Sequence, residues 1–149
     1  MSTRCQIGFY AKGETNLNKY NGLIYRHCDG YPEEGVLPDI MPFLRWFNKA
    51  RGLDDLDYAA ARLLQYLCNI DDGQTKAMNK NLGHKQTVLE KIALTGIYNY
   101  GILNRFQDDI EYFYAIHPDK IDIFEVDFNG EEAPKDINDR VKLIKTETI

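Results

Sequence analysis

The densest run of chemistry-bearing side chains is Tyr25-Arg26-His27-Cys28-Asp29-Gly30-Tyr31-Pro32. Eight positions hold a cation, an imidazole, a thiol, a carboxylate and two phenols, and the run reads as the exit from a strand into a loop, where functional groups concentrate. Neighbouring side chains on a strand point to opposite faces, so His27 and Cys28 are poorly placed as a nucleophile and base pair. His27 and Asp29 share a face if the strand continues to Asp29. The carboxylate would then orient the ring, leaving an imidazole suited to proton transfer or to hydrogen bonding a phosphate. A plainer reading has Asp29 and Gly30 making a turn, Pro32 stiffening it, and His27 as a half-buried strand residue.

Charge is unevenly distributed. The chain has 149 residues and a net charge of −5, with eight basic and ten acidic groups in 1–75, five and one in 76–105, and five and twelve in 106–149. The overall sign argues against coating bare nucleic acid, whose non-specific affinity comes from neutralised phosphates. The basic middle instead fits a local site for an anionic small ligand, with cations for phosphates and aromatic faces for a base. By residue type the candidate ligand-binding set is Arg26, His27, Asp29, Tyr31, Lys85, Tyr98 and Arg105. Two alternatives stand beside it. His27 and His117 would serve as base and acid in a small phosphodiesterase or nuclease if the fold brought them together. The acidic segment that includes Asp108, Asp109 and Glu111 would present a face to a basic host protein, steered by charge.

Cys5, Cys28 and Cys68 are odd in number and lack C-x-x-C spacing, which fits free thiols in a reducing compartment. Neither they nor His27, His84 and His117 have the recurring spacing of a metal site, so no metal or cofactor is expected. No apolar run reaches the roughly 18–20 residues of a membrane span, and residues 1–10 lack a leader's apolar block, so the expectation is a cytoplasmic protein without a membrane partner.

The elements that must position these groups follow from periodicity. Residues 6–10 and 23–27 are β-branched and aromatic and flank a turn-rich stretch, as two antiparallel strands do. Leu37, Ile40, Leu44 and Phe47 recur at helical spacing, with Gly52 as a C-terminal cap. Leu56, Ala60, Leu63, Leu64 and Leu67 form a second apolar stripe, with Asp54 as its expected cap. Residues 86–93 read as a short helix and 96–103 as a strand interrupted by glycine. Residues 110–116 and 121–126 alternate at period two around His117-Pro118-Asp119-Lys120, a hairpin. Ile137, Val141 and Ile144 are spaced for a last helix. One domain over 1–149 is expected, of α+β class, with an antiparallel sheet of about five strands and two or three helices on one face.

The run at 25–32, followed far downstream by Asp109-Ile-Glu-Tyr-Phe-Tyr-Ala-Ile116, resembles a group of small proteins encoded by bacteriophages and prophages, which show His-x-Asp-Gly-Tyr-Pro and a later Asp-Ile-Glu-Tyr block. The likeness covers about a fifth of the chain, and many members carry an aromatic where this chain has Cys28. It implies a cytoplasmic accessory protein of phage type, of the sort that antagonises host defence by sequestering a signal or covering a defence factor. It carries over no catalytic residue.

Overall fold

The computed structural model describes residues 2–71, 82–93, 96, 99–127 and 136–149. The fold is α+β, built on a six-stranded mixed sheet in the order β3-β2-β1-β4-β5-β6. The strands are β1 (Cys5–Phe9), β2 (Leu23–Arg26), β3 (Tyr100–Ile102), β4 (Tyr112–Ile116), β5 (Lys120–Val126) and β6 (Val141–Thr148). All neighbours are antiparallel except the central pair, where β1 runs parallel to β4. The sheet is mostly antiparallel, as expected from the sequence, with six strands where about five were expected and one parallel pair at its centre, because the chain between β1 and β4 is long enough to return β4 in the same direction.

Alternation along β1 divides the core. Cys5, Ile7 and Phe9 face the helices, while the next residue, Tyr10, joins Phe113 and Leu23 on the opposite face. The first face is covered by α1 (Leu37–Ala50) and α2 (Leu56–Ile70), whose buried positions Ile40, Leu44 and Phe47 and Ala59, Leu63 and Leu67 follow helical spacing. Gly52 has φ of 90° and donates to the Phe47 carbonyl at 3.0 Å, closing α1 as expected. The cap of α2 is Asp55, whose carboxylate accepts from the Tyr58 N–H, one residue beyond the expected Asp54.

The opposite face is covered partly by loops. Tyr10 donates to the Leu17 carbonyl at 2.7 Å, and the buried Arg140 donates to the Gln107 and Asp108 carbonyls. The expected strand over 96–103 is confined to the three residues of β3, with Tyr98 and Ile97 outside the described residues. Helix α3 (Val88–Ala93) is short and exposed. The tail departs from expectation. Only the turn α4 (Ile137–Arg140) is helical, and Val141–Thr148 pairs with β5 as a strand, because the β5 edge offers backbone partners that an isolated amphipathic turn lacks. Among the described residues, no helix is long and apolar enough to cross a membrane.

Candidate functional site

Strand β2 ends at Arg26, and the run that follows is fixed from three sides. The buried Asn99 accepts the His27 N–H at its own carbonyl (2.8 Å) and takes the Cys28 N–H on its side-chain oxygen (2.9 Å). The Gly30 N–H donates to the Thr3 carbonyl at 2.9 Å, and the Gly30 carbonyl accepts from the Tyr114 hydroxyl at 2.7 Å. A Cβ at Gly30 would lie 2.8 Å from the Thr3 carbonyl oxygen, so only glycine lets the two backbones meet there.

This anchoring separates the candidate residues. Arg26 points to the helix face and is 4% exposed; it donates to Asp39 at 2.7 Å and to the Cys28 carbonyl at 2.8 Å, with its guanidinium 5.7 Å from the Tyr100 ring centroid. It is a structural cation, held inside the fold and away from ligand. Asp29 does not orient His27. Its backbone is left-handed, with φ of 57°, and its exposed carboxylate accepts from the Tyr31 hydroxyl at 3.2 Å. Lys85 is exposed ahead of α3, and no hydrogen bond or ion pair joins it to the other described candidates. Tyr98 lies outside the described residues.

His27 and Arg105 do come to one face. Gln6 pairs with Tyr25, and its amide donates to the Arg105 carbonyl at 2.9 Å, holding the backbone of Arg105 across the row of Tyr25. His27 shares Tyr25's face by alternation, and its Nδ1 lies 3.0 Å from the Tyr25 hydroxyl. Continuing the β1–β2 register by one residue places Arg4 beside His27. Arg4 pairs with Asp109 at 3.3 Å, and the two opposite charges act on the Tyr25 hydroxyl. On β3 the partner of Tyr25 is Gly101, where a Cβ would find open space.

The protons in this cluster have a direction. The direction of the Tyr25–His27 hydrogen bond follows the ring tautomer, and with Nδ1 unprotonated the phenol donates to it. Burial, reinforced by the Asp109 carboxylate, raises the Tyr25 pKa and keeps that hydrogen in place. In that tautomer the ring hydrogen sits on Nε2, which has no hydrogen-bond partner among the described residues. The cluster then offers an N–H on the row where register places Arg4, an arrangement that favours an acceptor and, above all, an oxyanion.

Arg4 and Asn99 were not singled out from sequence, and Tyr25 and Asp109 were marked only within their blocks, not as ligand-binding residues. The signal for Arg4 lay in strand register, since it stands as far before β1 as His27 stands after β2. The two blocks that carry the phage-type resemblance also meet: the Tyr114 hydroxyl binds the Gly30 carbonyl, and Tyr31 lines a concavity of about 410 Å³ with Glu111 and Tyr112.

The pairing of His27 with His117 is overturned. His117 follows Ile116, opposite Phe9, whereas His27 follows Arg26, opposite Cys5, so the two rings sit roughly 20 Å apart along β1. His117 is buried at the far end against the Tyr10 ring, with Asp122 at 3.6 Å. Among the described residues, no cluster of three or more His, Cys, Asp or Glu forms a metal site. No family model, curated protein or solved structure matches the chain.

Proposed function

We propose that the protein is a non-enzymatic accessory protein of phage type that holds a phosphate-bearing, nucleotide-like ligand on the sheet face away from α1 and α2. The observation that carries this reading is the Tyr25–His27 hydrogen bond on the strand row where Arg4 stands, which in the phenol-donating tautomer leaves an Nε2–H for a ligand close to a cation. Arg105, exposed on the same face, supplies a second cation, and the space at Gly101 admits the ligand. Holding such a ligand tightly would remove a host-defence signal from solution without turning it over.

The test is to heat the purified protein, identify released material by mass, and follow thermal shifts across a nucleotide panel. A released phosphate compound, or a shift that Arg4→Gln and His27→Ala abolish, is the expected result. Nothing released and no shift with any member of the panel would end the proposal.

A second reading draws on the acidic segment. Glu111, Glu125 and Asp127 line the concavity that holds Tyr31 and Tyr112, which favours a basic partner segment. Binding of a lysine-rich peptide that weakens with salt and with Glu111→Gln would support it; binding indifferent to both would remove it.

A further inference from the structure

The helix side of the molecule carries a concavity that the reading above does not use. Phe43, Trp46 and Phe47 on α1 face Tyr58 and Tyr66 on α2 across a groove of about 430 Å³, within the usual size range of small-ligand sites. The aromatic wall is continuous: Phe43 lies 5.2 Å from Tyr66 and 6.4 Å from Trp46 between ring centroids. Trp46 is nonetheless 64% exposed, so a large indole face is left to solvent at the rim. Trp and Tyr faces of this kind accept a stacked base whatever its identity.

The charge in the groove is positive. Tyr58 is flanked by two guanidinium groups, with Arg51 at 3.7 Å and Arg62 at 4.9 Å from its ring centroid. The phenol ring attracts both cations, and the guanidinium donors lie along the plane's edges, where an acceptor entering the groove can meet them. Beside the Tyr58 ring, Arg51 pairs with Asp55 at 3.5 Å and Arg62 donates to Gln65 at 3.0 Å, which leaves most of their ten N–H groups without another hydrogen-bond partner among the described residues. An exposed indole, an aromatic wall and two guanidiniums around one phenol in a single concavity match a planar ring that carries a phosphate.

We infer that the α1–α2 groove is a second ligand site, which takes a nucleoside phosphate with its base against Trp46 and its phosphate on Arg51 and Arg62. It lies on the opposite face of the sheet from His27, so the two proposals stand or fall separately. Asp55 competes with the phosphate for Arg51. Asp55→Asn keeps the capping acceptor of α2 and removes the competing charge, so it should tighten binding several-fold.

Trp46 is the single tryptophan of the chain, so its emission reports this groove alone. The experiment titrates the full chain with adenosine diphosphate and with adenosine, exciting at the red edge of the indole band. The expected result is saturable quenching by the diphosphate, weaker quenching by adenosine, and a loss of at least about tenfold in affinity in the Arg51→Gln, Arg62→Gln double variant. Both positions are at the surface, and an unchanged circular dichroism spectrum checks their folding. No change in Trp46 emission at millimolar ligand, quenching indifferent to the double variant, or weaker binding in Asp55→Asn would overturn the inference. So would a concentration-dependent dimer dissociated by Trp46→Ala, which would give the groove to a second copy. Phosphate-induced shifts at the His27 ring should survive the double arginine variant.

Discussion

At Tyr25 one hydroxyl decides what His27 can offer. Tyr25→Phe removes the donor to Nδ1, so the ring becomes a mixture of tautomers and the outward Nε2–H is no longer enforced. The expected result is a several-fold loss of oxyanion affinity, with long-range proton–nitrogen NMR spectra showing the Nε2–H form in the parent and a mixture in the variant. Arg26 behaves differently. Replacing it with Met leaves Asp39 and the Cys28 carbonyl without their donor, and because Asp39 is one-third exposed the cost falls below that of breaking a fully buried pair. About 2 kcal/mol of stability should be lost, read from urea unfolding. The thiols also separate by environment. Burial pushes the Cys5 pKa up to about 12, so iodoacetamide near neutral pH should label Cys28 and Cys68 and leave Cys5 untouched until the chain unfolds. Residue type alone marked His27 for attention, but it could not separate Arg26 from Arg4: both are arginines beside strand residues, and only alternation and register decide which one is buried.

At the scale of elements, α3 shows how a short helix is held with no buried residue. The Thr87 hydroxyl accepts the Glu90 N–H and the Glu90 carboxylate accepts the Thr87 N–H, both at 3.1 Å, a reciprocal cap readable in the sequence as T-x-x-E. Glu90 also binds His84 Nε2 at 2.9 Å. The His84 pKa is raised by Glu90, so its contribution is complete below the ordinary 6.5 and is lost as pH rises through the raised value. The Glu90 pKa is lowered, first by the Thr87 N–H and then by His84, so its contribution is present above the ordinary 4.5 and is lost as pH falls through the lowered value. Amide protection over Val88–Ala93, corrected for intrinsic exchange, should therefore be highest between about pH 4.5 and 6.5 and decline above it. The two long helices and the β4–β5 hairpin were legible because each carries its period within a dozen residues. The tail was not. Ile137, Val141 and Ile144 fit a helical stripe, and only the free edge of β5 makes the extended form the lower in energy.

For the molecule as a whole, the sheet joins strands that are far apart in sequence, and the central β1–β4 pair links residues more than a hundred positions apart. That adjacency leaves no local trace, which explains why the α+β class could be read and the parallel centre could not. The same topology brought Arg4, Tyr25 and Asp109 together, so the site was legible only in the part that lies on β2. Removing packing at this centre should cost far more than at the margin. Ile7→Ala, at a fully buried position, should lose about 3 kcal/mol, whereas Ile144→Ala on β6 should stay within about 0.5 kcal/mol, both measured by denaturant unfolding.

The two margins of the sheet bear on how neighbouring molecules can meet. At one end β3 spans three residues; at the other the β5–β6 pairing slips register between Ile123 and Phe124, and the outer strand carries Lys142 and Lys145. A short ribbon and a kinked, lysine-bearing one give an incoming chain no flush row of amides to copy. Fibre growth by templating from either end is thereby discouraged, and crowded solutions of the folded protein should stay free of cross-β polymer.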